Sequence, residues 1–575
     1  MTRIFGDPAQ FAEQAIRGFC DVYAPWVRPI HGGVLRATET PRGKVAVVIG
    51  GGSGHYPAFA GYVGQGFADA AVCGDVFASP STRYIFEIAR AADRGAGVIL
   101  GFGNYAGDVL NFGFAAERLR AHGIDTRILA TTDDIASAGA DETALRRGIA
   151  GDLPVFKLAS AAAEAGLSLD EVERVGLHAN ARTRSFGIAF GGCTLPGAVE
   201  ALFHVPAGQM ALGLGLHGEP GIAEQAMVPA EELAAILADK LLGERPDGAG
   251  TRVAALLNGL GSTKYEELFV LWGHIAAMLR KAGLQLVAPE VGEYATSLDM
   301  AGCSLTLTWL DEELEGYWLA PADSPGFRRG HCPPAAAAAP WRDVEDAQEV
   351  FPAASPASQT DGQCIAKLVR AIADALQKAE EELGRIDALA GDGDHGQGMA
   401  RGSAAAAIAA ESASAATAGA ASVLAAAAHA WADRAGGTSG AIWGVLLLQW
   451  SQALDNQQPL DRQSILRGAQ AGLEAVTRLG RAKVGDKTLV DALVPFVNTL
   501  GQAIGEGHSL EQAWQAASKA ANDAAEATKD LLPRIGRARN HRERSQGHPD
   551  AGAISLALCA RTVASLMTST TAHHD

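Results

Sequence analysis

Lys44-Val-Ala-Val-Val-Ile49 runs straight into Gly50-Gly-Gly-Ser-Gly-His55. A short β-rich run ending in a glycine string puts permissive backbone, able to approach a ligand closely, at the carboxyl end of a strand, where open α/β sheets hold their ligands. The same grammar recurs outward from it. Gly97-Val-Ile-Leu100, Val155-Phe-Lys-Leu158, Met210-Ala-Leu-Gly-Leu214 and Arg252-Val-Ala-Ala-Leu-Leu257 read as strands between helix-like stretches. Such alternation predicts an α/β fold with mixed or parallel sheets over residues 1–320, in two lobes with a break near 170–200.

From Ala320 to Thr360 the composition turns to Pro, Ala, Ser and Gly, as in Pro333-Pro-Ala-Ala-Ala-Ala-Ala-Pro340, which reads as an interdomain linker over 321–360. Beyond it, apolar residues at i, i+3, i+4 in Ile365 to Leu383 and an alanine-rich tract from Ser403 to Ala430 predict an all-α domain over 361–575. Alanine is the best helix former and lets helices approach closely, so the tract reads as packed helices bracketed by Trp431 and Trp443 rather than as disorder. No internal repeat is present.

The 575 residues, 48% hydrophobic and 19% charged, suffice for more than one core. A formal charge of −18 argues against nucleic acid and anionic lipid as partners. The seven cysteines include no C-x-x-C pair, so neither a disulfide framework nor a thiolate zinc site is expected. No apolar run approaches the about 18 residues that span a bilayer, and Met1-Thr-Arg-Ile-Phe-Gly-Asp-Pro8 lacks the apolar core of a signal peptide; a cytoplasmic location is the expectation.

Three glycine strings in the first half carry candidate chemistry. Gly50 to His55 is not a dinucleotide fingerprint, since the third glycine would fall at His55, and no Walker loop occurs anywhere in the chain. Gly101-Phe-Gly-Asn-Tyr-Ala-Gly-Asp108 ends in a carboxylate that could face the same crevice as His55, a pairing suited to removing a hydroxyl proton. Asp108 equally fits a helix N-cap before Val109-Leu-Asn-Phe. Leu212-Gly-Leu-Gly-Leu-His217-Gly-Glu-Pro-Gly221 places His217 at a strand mouth, as a candidate nucleophile or as an ordinary structural histidine.

In the second half, Asp387-Ala-Leu-Ala-Gly-Asp392-Gly-Asp394-His395-Gly-Gln-Gly398 gathers three carboxylates that repel unless a cation joins them, and hard oxygens at this spacing suit Mg²⁺. An EF-hand is excluded, because its bidentate Glu position falls at Ser403. Gly436-Gly-Thr438-Ser439-Gly440, Gly485-Asp-Lys-Thr-Leu489 and the arginine-rich Gly536-Arg537-Ala-Arg539 offer hydroxyls, helix starts and guanidinium groups to phosphate. Together they describe a nucleoside triphosphate site built from helix ends.

Seven motifs in order, Gly50-Gly-Gly-Ser-Gly-His55, Gly74-Asp-Val-Phe-Ala-Ser-Pro80, Asn104-Tyr-Ala-Gly-Asp108, Leu216-His-Gly-Glu-Pro220, Thr296-Ser-Leu-Asp-Met-Ala-Gly302, Gly391-Asp-Gly-Asp-His395 and Gly485-Asp-Lys-Thr488, make the chain resemble a single-chain dihydroxyacetone kinase. That resemblance implies a ketose-binding α/β part, a helical-barrel nucleotide-binding part, and a homodimer. It implies that His217 captures a short-chain ketose as a hemiaminal. His55 and Asp108 would contact the substrate, Asp108 as base for the terminal hydroxyl, and Gly52, Ser53 and Gly54 would line the pocket. It further implies that Asp387, Asp392 and Asp394 hold two Mg²⁺ ions on ATP, with Thr438, Ser439 and Arg537 on the phosphates and His395, Gly396, Gln397 and Gly398 also in the ATP site. Gly480, Leu489, Asp550, Ala551 and Gly552 would surround adenine and ribose.

The chain departs from the family at Gly103, where many members carry a Lys that contacts the triose. Losing an ammonium removes a donor and opens volume, which suggests a four-carbon ketose such as erythrulose. It departs again at Arg539-Asn-His-Arg542, often Ser-Tyr-Leu-Gly, and at Ala551, usually Pro. Two other functions fit the same motifs: cyclising cleavage of FAD, and ketose sensing without catalysis. A phosphoenolpyruvate-driven relay is disfavoured, because it usually keeps the two parts on separate chains.

Overall fold

β-branched and small residues at 46–53 form a strand buried along nearly its whole length, and a six-stranded sheet grows around it. Its strands are β1 (Val27–Ile30), β2 (Gly33–Arg36), β3 (Ala46–Ser53), β4 (Ala70–Val76), β5 (Val98–Gly103) and β6 (Thr126–Thr131), in spatial order β1-β2-β4-β3-β5-β6. β4, β3, β5 and β6 run parallel, whereas β1 and β2 add an antiparallel edge. β4 connects to β5 through helix Thr82–Ala92 and β5 to β6 through helix Ala106–Ala121, the usual crossover for parallel strands, whereas β3 reaches β4 through a loop with one short 3-10 turn at Ala60–Tyr62.

A second, seven-stranded sheet is mainly antiparallel. It comprises β7 (Thr183–Ala189), β8 (Gln209–Leu212), β9 (Ala223–Ala226), β10 (Arg252–Gly259), β11 (Gln285–Leu286), β12 (Glu290–Gly292) and β13 (Gly302–Trp309), ordered β11-β10-β13-β7-β8-β9 with β12 beside β10. The chain passes from one sheet to the other at Arg182, but the two share a core in which Val47 and Ile49 cluster with Ala254 and Leu256.

The computed structural model describes residues 2–339, 351–389, 393–480, 482–535 and 545–571, in two units, Met1–Trp341 and Arg342–Asp575. Two sequence expectations need correcting in the first unit. Val155-Phe-Lys-Leu158 is not a strand but part of the helix Asp152–Glu164, buried on every side. A short apolar run carries no periodicity that separates a buried helix from a buried strand. The stretch from 321, expected as linker, is folded onto the first unit as far as Ala339. β14 (Ala322–Asp323) pairs with β15 (Arg328–Arg329), Phe327 and Ser324 are buried, and the Ala338 amide donates to Ala37 O. Residues 340–350 of that expected linker lie outside the described residues, and helix begins again at Pro356, capped by Ser355.

The described part of the second unit is helical, with one core running through the alanine tract. Ala406, Ala407, Ala410 and Ala413 of helix His395–Ala415 are fully buried, as are Ala420 and Ala427 of helix Ala420–Ala435, so small side chains do set a close approach. Trp431 and Trp443 stack with ring centres 4.9 Å apart. No helix among the described residues is long and apolar enough to cross a membrane.

Candidate active site

Three chain segments that leave strands meet in the first unit: the one after β3 with His55, the one after β5 with Asp108, and the one after β8 with His217. Gly52 and Ser53 close β3, and a Cβ at Gly52 would come within 2.8 Å of the Ala78 amide nitrogen, so this approach demands glycine. Gly54 adopts φ +101°, a conformation that favours glycine, and its carbonyl accepts from the Leu298 amide at 2.9 Å. The turn delivers His55 into the interior, stacked on Phe77.

His55 Nε2 lies 3.0 Å from His217 Nε2. The outer nitrogens are both engaged: His55 Nδ1 donates to Thr296 O at 2.7 Å, and His217 Nδ1 donates to Glu219 Oε1 at 3.0 Å. With both Nδ1 atoms bearing hydrogen, a hydrogen bond between the Nε2 atoms requires one proton between them. Burial, together with the neighbouring His217, pushes His55 down to about 3. The Tyr105 ring stands edge-on to His217 with centres 4.9 Å apart.

Asp108 sits in the first turn of helix Ala106–Ala121, whose N-cap position is Tyr105, so it is not itself the N-cap. Burial pushes its carboxyl up to about 7, against the hydrogen bond from Ser79. Its Oδ1 is buried without a hydrogen-bond partner. A carboxylate with a free oxygen and a titration near neutrality is suited to accept a proton from a bound hydroxyl.

In the second unit four helix N-termini are drawn together. His395, first residue of helix His395–Ala415, contacts Ser439 in the first turn of helix Gly437–Gln452 at 3.3 Å and Ser555 of helix Ala551–Thr571 at 3.0 Å. Gly552 packs near Leu489, which precedes helix Val490–Gly505. The remaining expected ATP contacts Gly396, Gln397, Gly398 and Thr438 lie in the first turns of these helices, and Gly480 closes helix Arg462–Gly480. Aligned helix starts present amide donors and a positive pole to a polyanion.

Carboxylates crowd the same end. Asp387 Oδ2 accepts from the His395 amide at 3.3 Å, and burial with Asp387 nearby raises Asp394. Burial pushes Asp550 up to about 7, with Asp491 and Asp387 adding to the shift. Asp392 and Arg537 lie outside the described residues, as does Arg539-Asn-His-Arg542. Among the described residues no three His, Cys, Asp or Glu side chains gather closely enough to hold a metal ion.

Sequence reasoning missed Asp491, which accepts from the amides of Gly485 and Thr488, Ser555, and in the first unit Arg147 and the role of Glu219. The His-x-Glu spacing within Leu216-His-Gly-Glu was a usable signal for Glu219; nothing in the sequence marked Arg147.

Comparison with known proteins agrees with this division. A Dak1 domain model matches residues 17–326 and a DAK2 domain model residues 389–565. The chain is 54% identical to the D-erythrulose kinase of Mycolicibacterium smegmatis, across 99% of both chains. It is 52% identical to the L-erythrulose kinase of Pectobacterium atrosepticum, over 99% of this chain and 97% of that one. Among solved structures, the dihydroxyacetone kinase from C. freundii in complex with AMP-PNP and Mg²⁺ matches with a TM-score of 0.53 at 29% identity, covering 98% of this chain and 99% of that one. The chain, an N-terminal α/β part followed by an all-helical part, therefore belongs to the dihydroxyacetone kinase family.

Proposed function

We propose that this protein is an ATP-dependent kinase that captures a short-chain ketose on His217 and phosphorylates a terminal hydroxyl, with erythrulose as its preferred substrate. The observation that carries the reading is the His55–His217 pair, 3.0 Å apart at Nε2, with Tyr105, from the segment that carries the buried Asp108 and its free carboxylate oxygen, edge-on to His217. As His217 Nε2 bonds to the carbonyl carbon, the carbonyl π electrons move to oxygen, and that oxygen takes the proton the two histidines had shared. The hemiaminal is thus neutral at oxygen, and the alkylated imidazolium remains paired with Glu219. A polyol has no carbonyl to capture, so glycerol is excluded by chemistry rather than by size. Asp108 then receives the proton of the terminal hydroxyl as that oxygen bonds to the γ-phosphorus of ATP and the bond from that phosphorus to ADP breaks.

Gly103 supports the four-carbon preference. A Cβ there would stand 3.2 Å from Tyr105 Cε2 and 3.4 Å from Gly148 O. Any side chain at 103 therefore presses on the ring that borders His217, and glycine leaves that side of the site wide. The names of the relatives that are more than half identical, the D- and L-erythrulose kinases, point the same way.

The nucleotide site supports Mg²⁺ with ATP by the chemistry of its donors: hard carboxylate oxygens from Asp387 and Asp394 meet at helix starts that favour phosphate. Asp387, Asp392 and Asp394 would hold two ions, which when bound neutralise phosphate charge. His395 to Gly398, Thr438, Ser439 and Arg537 would border the phosphates, and Gly480, Leu489 and Asp550 to Gly552 the nucleoside. We place the protein in the cytoplasm as a homodimer, with the ketose part in the first unit and the ATP part in the second.

The test is ADP release with Mg-ATP across dihydroxyacetone, D- and L-erythrulose, glyceraldehyde and glycerol. Release with erythrulose above dihydroxyacetone and none with glycerol supports the reading. Turnover of the triose without erythrulose refutes the substrate assignment, and no release with any ketose shifts the function to FAD cyclisation or sensing.

A further inference from the structure

Behind His217 lies a charged layer of which the proposed reaction uses only Glu219, as partner of the imidazolium. Glu219 divides its two oxygens: Oε1 takes the His217 Nδ1 hydrogen at 3.0 Å, and Oε2 takes the His217 backbone amide, also at 3.0 Å. One side chain thus holds both the ring and the backbone of the same residue. Arg147 faces Glu219 from the other side, its Nη1 3.7 Å from Oε2. Arg147 is itself locked by Asp134, which accepts from Nε at 3.0 Å and from Nη2 at 2.8 Å. A planar guanidinium clamped along one edge has its remaining nitrogen aimed in a fixed direction, here toward Glu219.

The backbone is shaped around this contact. A Cβ at Gly215 would overlap Glu219 Oε2 and come to 2.5 Å from Arg147 Nη1, so a side chain there would push the carboxylate or the guanidinium out of this arrangement. The Gly215 amide donates to Glu219 O at 2.9 Å, which closes the turn that carries His217. Burial alone would raise the Glu219 carboxyl; His217 and then Arg147 outweigh it and hold it well below the ordinary carboxylate range.

We propose that Glu219 and Arg147 are positioning residues for capture: Glu219 keeps the His217 hydrogen on Nδ1, so that Nε2 is the nitrogen presented to the carbonyl, and Arg147 holds Glu219 in that orientation. Neither touches substrate. An imidazole released from Glu219 can place its hydrogen on either nitrogen and can rotate, and both changes remove the Nε2 lone pair from the attack line. The effect belongs to capture and not to phosphoryl transfer, so it falls on KM before kcat.

The inference rests on His217 being the capturing nucleophile, and the experiment separates the two. Full-length protein is mixed with ketose carrying ¹³C at the carbonyl, without nucleotide, and the fraction of signal at the hemiaminal position is read by NMR. Wild type, Glu219→Gln, Arg147→Met and Arg147→Lys are compared, with KM and kcat measured in parallel and ¹⁵N shifts used to read the His217 tautomer. Expected are a hemiaminal in wild type, at least about a tenfold rise in KM with less than about a threefold loss of kcat in Glu219→Gln, and a His217 tautomer shifted toward Nε2–H. Arg147→Met should move the same readings in the same direction by less, and Arg147→Lys should recover part of them. Wild-type capture with an unaltered tautomer and KM in both Glu219→Gln and Arg147→Met overturns the positioning role alone. No hemiaminal in wild type overturns the capture reading and this inference with it. If Glu219→Gln does not fold, Arg147→Met carries the decision.

Discussion

Asp108 carries a conflict between stability and chemistry. Its carboxyl is raised from 3.8 to about 7 by burial, so between those values the folded protein holds a proton the unfolded chain has lost. Stability therefore falls as pH rises through that window, while the fraction of ionised base grows. The kcat with saturating ketose should rise through about pH 7 and level off above it. Asp108→Asn should abolish turnover yet unfold at a higher temperature than wild type at pH 8, where the buried charge has been removed; at about 2–4 °C per kcal/mol for domains of this size, a gain of a few degrees is expected. An unaltered Tm at pH 8 together with a flat kcat–pH profile would show that Asp108 is not the titrating base. At Gly103 the steric argument predicts that Gly103→Ala lowers kcat/KM for erythrulose by more than about threefold relative to dihydroxyacetone, since the methyl displaces Tyr105 toward the substrate, and one misplaced contact is worth about 1–3 kcal/mol. Equal losses on both ketoses would place the size discrimination elsewhere.

Helix His395–Ala415 shows how an element's packing and its function draw on the same residues. Gly396 lies against the preceding helix Glu380–Asp387, and a Cβ there would overlap Glu380 O, while at Gly402 it would reach 2.6 Å from Ala435 Cβ. In an open helix Gly→Ala gains about 1 kcal/mol from propensity. Here the overlap is with backbone, which cannot step aside, so overpacking of about 1–3 kcal/mol should win. Gly396→Ala should lower the urea midpoint of the unfolding step reported by tryptophan fluorescence and weaken ATP binding along with it; a raised midpoint would mean that the two helices are free to part. Much of this level was legible in the sequence. The glycine strings at 50–54 and 213–218 marked strand ends because tight turns need glycine whatever the tertiary context. The alanine tract marked close-packed helices for an equally local reason. What stayed hidden depends on distant partners: Val155-Phe-Lys-Leu158 is helix because neighbours enclose it on all sides, and Arg147 matters only because folding brings it, 72 residues earlier in the chain, to Glu219. Even the stretch after Ala320, poor in large side chains, folds onto the first unit because Phe327 has an existing core to enter.

At the scale of the whole molecule, the proposed function divides covalent capture and nucleotide chemistry between two units, each with its own core. On that proposal capture draws on the His55–His217 pair and its supports, all within residues 55–296. Phosphoryl donation needs the helix starts and carboxylates between Asp387 and Ser555. No residue named for one task is named for the other, so the two should fail independently. Asp394→Asn, in the full chain, is expected to lower ketose-dependent ADP release by at least about a hundredfold, because positioning and charge neutralisation of the phosphates supply most of the rate. The same variant should form the ¹³C hemiaminal to the wild-type extent. His217→Ala should do the reverse, losing the hemiaminal while still binding Mg-ATP with wild-type affinity, with turnover confined to high ketose concentration. A loss of capture in Asp394→Asn would mean that the nucleotide unit shapes the ketose site before any phosphate moves, and the division of labour between the two units would have to be abandoned.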